Sequence, residues 1–67
     1  MHPHEHSRLL SIKAVLSKTS LSEPTIRRMI ERQEFPRSVS ISRNRRAWSE
    51  SAVDAWIASK LSSAEAA

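Results

Sequence analysis

The chain has 67 residues, a formal net charge of +4, no glycine and no cysteine. That length allows one small domain, and without cysteine neither a disulfide nor a thiolate zinc site can staple it. No apolar run approaches the roughly 18 residues of a membrane-spanning helix, and the opening Met1-His2-Pro3-His4-Glu5-His6 lacks the apolar centre of a signal peptide, so the sequence reads as soluble and cytoplasmic.

Residues 1–7 alternate histidine with other residues and carry no apolar anchor, which predicts a flexible arm. His2, His4 and His6 would share one side of an extended chain, but a flexible arm gives ligands no scaffold. The reading is therefore no metal site and no cofactor.

Leu9 and Leu10 begin the folded part. Ser11 can cap a short helix in which Ile12, Val15 and Leu16 repeat at i, i+3 and i+4, running to about Lys18. Thr19, Ser20 and Leu21 interrupt the pattern. Ser22 then caps a second helix, with Pro24 in its first turn, where a missing N–H costs little. Its apolar residues Ile26, Met29 and Ile30 form one stripe, and Arg27, Arg28, Glu31 and Arg32 take the other faces. Two short amphipathic helices joined by about four residues, with Leu21 as the core plug of the turn, form a helix-turn-helix pattern. Ser20 must supply the turn geometry that glycine often provides.

The second helix must end after Gln33, because Glu34-Phe35-Pro36 places a proline where the hydrogen-bond ladder would continue. Phe35 is expected to fold back under the helix. Val39 and Ile41 at period two, the polar Ser42-Arg43-Asn44-Arg45-Arg46 and then Ala47-Trp48 predict a β-hairpin. Arg43-Asn44 is its expected tip, since asparagine tolerates the left-handed conformation of tight turns. Ser49 or Ser51 caps a last helix whose stripe is Val53, Trp56, Ile57 and Leu61. Trp48 and Trp56 read as core residues. Residues 62–67 have nothing to bury and are expected to fray.

Charge is concentrated in the middle of the chain. Between residues 23 and 46, Arg27, Arg28, Arg32, Arg37, Arg43, Arg45 and Arg46 stand against Glu23, Glu31 and Glu34. Arginine's planar fork of donors suits both phosphates and the guanine edge, so this distribution points to a nucleic acid. Catalytic chemistry finds no support: there is no Gly-rich phosphate loop, no cysteine nucleophile and no facing carboxylate pair, so the chain reads as no enzyme. RNA recognition would call for aromatic residues on a basic sheet face, which are lacking.

The order helix, turn, helix, Phe-Pro, basic hairpin, Trp, helix resembles the AlpA family of prophage regulators, which are winged helix-turn-helix proteins related to MerR-like DNA-binding domains and phage excisionases. The residues that carry the resemblance are Arg8-Leu9-Leu10, Thr25-Ile26 with Arg28, Glu34-Phe35-Pro36, and Trp48-Ser49-Glu50-Ser51-x-Val53-Asp54-x-Trp56-Ile57. The family usually has glycine where Ser20 and Gln33 stand here. A left-handed helix end without glycine should cost up to about 1 kcal/mol.

The resemblance implies a mainly α fold with a small β-hairpin, three helices plus a two-stranded wing, over residues 8–61. It implies a sequence-specific regulator that binds double-stranded DNA of a prophage or integrated element, or an excisionase-like accessory factor, with integrase or RNA polymerase as protein partners. The recognition-helix positions become Thr25, Arg27, Arg28 and Arg32, and the wing positions Arg43, Asn44, Arg45 and Arg46. Arg28, opposite the apolar stripe, is the expected base reader and Arg32 the expected phosphate contact. The expected state is a monomer or weak dimer, cooperative on DNA and associated with the nucleoid. The rival reading is a protein-interaction module whose arginines meet an acidic partner.

Overall fold

The computed structural model describes residues 8–66; the predicted histidine-rich arm lies outside them. The elements in order are strand β1 (Leu9–Leu10), helices α1 (Ile12–Thr19) and α2 (Glu23–Glu31), strands β2 (Val39–Ser42) and β3 (Arg45–Ser49), and helix α3 (Glu50–Ala66).

The start of each helix is set by a serine. Ser11 Oγ accepts the Ala14 N–H at 3.2 Å, Ser22 Oγ accepts that of Thr25 at 3.4 Å, and Ser49 Oγ accepts that of Ala52 at 3.3 Å. Each bond satisfies a first-turn donor with no partner inside its helix. Of the two predicted caps for α3, Ser49 makes this bond.

The two helix ends that lack glycine are closed by side-chain and backbone bonds. Ser20 adopts φ 63° and its N–H reaches the Leu16 carbonyl at 2.8 Å. Thr19 Oγ1 donates to the Val15 carbonyl at 2.8 Å and accepts the Leu21 N–H at 3.3 Å, so one hydroxyl ties both sides of the turn. At the end of α2, Gln33 adopts φ 62°. Its N–H bonds to Ile30 O at 3.0 Å and the Glu34 N–H to Met29 O at 2.7 Å. That pair of bonds is a Schellman motif with glutamine in the usual glycine position.

Beyond α2 the chain turns under the domain. Phe35 is buried and meets Trp56 edge to face, with ring centroids 4.9 Å apart. Both indoles then hold the same connecting segment: Trp56 Nε1 donates to Glu34 O at 2.8 Å and Trp48 Nε1 to Pro36 O at 3.1 Å. Val15, Ile26 and Val53, one from each helix, are fully buried, and Leu10, Phe35 and Trp48 complete the cluster. Leu21, Met29, Ile30, Trp56 and Ile57 pack against it half-buried, which gives Leu21 its predicted place.

The sheet is larger than a hairpin. Its order is β1-β3-β2, with β3 in the centre, Leu9 opposite Ser49 and Leu10 opposite Trp48. The two-stranded wing expected from the sequence is thus two strands of a three-stranded antiparallel sheet. Two residues are too few to show an alternating pattern, so β1 has no signature of its own. Pairing brings Leu10 into the core and leaves Leu9 outside.

One local expectation needs correction. Arg43-Asn44 is the hairpin tip, but the positive φ values among the described residues belong to Ser20 and Gln33, not to Asn44. The ladder instead shifts register between Ser40 and Ser42, a bulge that restores the strand twist a turn without left-handed residues would spoil. Beyond Leu61, the last residue of the expected stripe, α3 continues through Ala66. Residues 62–65 are exposed. The segment buries nothing, yet Ser-Ser-Ala-Glu-Ala contains no helix breaker and its backbone bonds propagate from the packed part.

A polar clasp joins the ends of the fold. Lys18 Nζ, at the end of α1, lies 2.6 Å from Asp54 Oδ1 and 3.1 Å from Glu50 Oε2, and Arg8 Nε lies 3.6 Å from Glu50 Oε1. Hydrogen bonding to Asp54, then to Glu50, raises the Lys18 pKa above its ordinary 10.5. No described helix is long and apolar enough to cross a membrane.

Candidate nucleic-acid interface

Burial of Ile26, with Met29 and Ile30 packed beside it, fixes the rotation of α2 about its axis. Each residue advances about 100° around a helix, so the polar side chains fan out over the remaining arc. Arg27, Arg28, Glu31 and Arg32 are all exposed, and Thr25 is half-buried.

One flank of that arc faces the hairpin across an open groove of about 710 Å³. From α2 the groove is lined by Glu23, Ile26, Arg27, Ile30 and Glu31; from the hairpin by Asn44, Arg45, Arg46 and Trp48; and from α1 by Ser11, Ile12 and Lys13. Four of the eight site residues read from the sequence, Arg27, Asn44, Arg45 and Arg46, therefore share one concavity. Arg43 is exposed at the tip, while Thr25 and Arg28 of α2, and Arg32 at its C-terminal cap, do not line the groove.

The arginines differ in how far they are already engaged. Arg27 donates through Nε at 3.2 Å and Nη2 at 2.5 Å to a single oxygen, Oε2 of Glu23. An exposed i,i+4 pair of this kind contributes about 0.3–0.5 kcal/mol to the helix. Arg28 Nη2 makes a long 3.4 Å contact with Thr25 Oγ1, whose hydroxyl lies 2.9 Å from that of Ser22. Arg46 is braced across the strands, with Nε donating to Ser38 Oγ at 2.7 Å and Nη2 to Ser38 O at 3.3 Å. Arg32, Arg43 and Arg45 have no side-chain partner among the described residues. Arg27 and Arg46 are thus engaged forks, Arg32, Arg43 and Arg45 are uncommitted among the described residues, and Arg28 makes one long contact within α2.

A model of the family described as prophage CP4-57 regulatory protein (AlpA) matches residues 8–61. The chain belongs to the AlpA family. The matched span takes in β1, both helices of the turn motif, the hairpin and α3 as far as Leu61. AlpA proteins are prophage regulators by that description, and this chain has the fold its resemblance implied: mainly helical, with a small antiparallel sheet compatible with a winged helix-turn-helix. No curated protein matches the chain. Among the described residues no cluster of histidine, cysteine, aspartate or glutamate could hold a metal ion, and His2, His4 and His6 lie outside them.

Four groove residues were not singled out from the sequence: Lys13, Glu23, Glu31 and Ser38, which braces Arg46. Lys13 lies off the Ile12-Val15-Leu16 stripe, which marks it as outward-facing, but nothing in the spacing tells that α1 turns this side toward the hairpin. The two glutamates were counted only as charges offsetting arginine, whereas they stand in the same concavity as the arginines.

Proposed function

We propose that the protein is a sequence-specific, double-stranded-DNA-binding regulator of an integrated element. One observation carries the reading: Arg27 on α2 and Asn44, Arg45 and Arg46 on the hairpin line the same groove, beside a helix whose outward face bears Arg28 and Arg32. The N-terminal half of α2 enters the major groove. Arg28 reads a base edge, Thr25 and Arg27 support it, and Arg32 takes a phosphate. Arg43, Asn44, Arg45 and Arg46 hold the adjacent backbone or minor groove as a wing. The AlpA match supports the regulatory part of the reading. Few side chains are placed to reach bases, so selectivity on DNA calls for cooperative neighbours on tandem sites.

Binding of the isolated protein to duplex DNA, followed across a salt titration, tests the reading. A log–log slope of about −0.9 per neutralised phosphate is the expected outcome. No measurable affinity for any duplex would leave an acidic protein as the partner of the arginines. Selection of bound fragments from the host genome then separates two biological roles. Sites at promoters mean control of transcription, and sites at attachment ends mean an excisionase-like service to an integrase.

A further inference from the structure

A carboxylate in a groove built for phosphates works against affinity, and Glu23 is in that position. It opens α2 and lines the groove with Arg27, Arg45, Arg46 and Lys13. Both of its bonds to Arg27 end on Oε2. Oε1 has no partner among the described residues, and neither do the Nη1 donors of Arg27. The pair therefore presents a free acceptor beside free donors, held together one helical turn apart. Glu31 lines the same groove without engaging an arginine among the described residues.

In the major groove a C·G pair displays the complementary pattern: guanine O6 and N7 accept, and the cytosine N4 amino group donates. Resting on the DNA-binding reading above, we infer that Glu23 is a specificity-determining residue. Its carboxylate fixes the Arg27 fork against guanine and itself accepts from a cytosine amino group. A thymine O4 or a purine N7 brought to that oxygen meets like charge instead. The carboxylate competes with phosphates for Arg27 and repels them, so the pair also weakens binding to random DNA.

The test uses the whole chain and two probes: the duplex most enriched by the wild-type protein from a random-sequence pool, and a scrambled duplex of the same composition. Glu23→Gln should bind the scrambled duplex several-fold more tightly and with a steeper salt dependence. Its preference for the selected duplex should fall about tenfold, and a repeated selection should lose one C·G position while keeping the others. Glu31→Gln, the same charge change in the same groove, should tighten both duplexes alike. Glu23→Asp, which keeps the charge and shortens the reach, should lose preference without gaining affinity for the scrambled duplex. The inference is overturned if Glu23→Gln tightens both probes equally with its selected sequence unchanged, or if Glu31→Gln reproduces its effect. A wild-type protein that shows no preference between the probes overturns the DNA-binding reading itself, a result distinct from either of those.

Discussion

The Trp56 indole N–H donates to the Glu34 carbonyl at 2.8 Å, joining the middle of α3 to the segment that leaves α2. Phe35 lies between the two, with its ring against the same indole. Trp56→Phe keeps most of the apolar contact and removes the donor. It should lower stability by about 0.5–1.5 kcal/mol in a urea titration, and an unchanged midpoint would mean that the bond holds nothing.

Ser20 and Gln33 carry left-handed backbone that L-residues with a Cβ adopt at a cost. Ser20→Gly and Gln33→Gly should each stabilise the fold, by about 0.5–1 kcal/mol. For a chain this short, 1 kcal/mol corresponds to roughly 4–8 °C in Tm. Ser20→Ala should go the other way, because it keeps the strain and loses a polar side chain. Thermal melts of the three variants would decide between relief of strain and a hidden role for either side chain.

Lys18 links alkaline pH to stability. Its folded pKa is raised above 10.5 by Asp54 and Glu50, so the folded state holds this proton more tightly than the unfolded chain does. The stabilisation is fully present below about pH 10.5 and disappears as pH climbs through the folded value. Lys18→Gln should therefore lack one component of the alkaline destabilisation seen in the wild type. The difference between the two pH profiles is the quantity to measure.

On the proposed DNA-binding function, Arg28 and Arg45 separate reading from holding. Arg28→Ala should cost roughly 1–3 kcal/mol on the selected site and relax its sequence there, whereas Arg45→Ala should weaken all duplexes alike and reduce the salt slope by about 1. Equal losses on selected and random DNA for Arg28→Ala would remove its reading role.

Much of this architecture can be read from local chemistry. The serine caps at Ser11 and Ser22, the glycine-like duty of Ser20 and the break at Phe35-Pro36 all follow from single residues, and the structure contains each of them. What could not be read depends on contacts distant in sequence. β1 is two residues long and exists only because β3 lies beside it. The extension of α3 past Leu61 to Ala66 has no apolar signature either, because a helix needs no further apolar side chain to continue. The site shows the same division. Helical spacing marks Arg27 and Arg28 as equally exposed, yet only Arg27 lines the groove with the hairpin. Which arginine faces the hairpin depends on where the chain from Glu34 to Pro36, held by the two indoles, returns beside a helix already rotated by the burial of Ile26.

Because that short link is clamped at both ends, the DNA-binding reading proposed above makes α2 and the hairpin a caliper whose opening is set before a duplex arrives. Adjustment then falls on the DNA, whose width and stiffness vary with base steps that no side chain touches. Operators with identical contacted bases but different intervening steps would be ranked by how readily they deform to the gap.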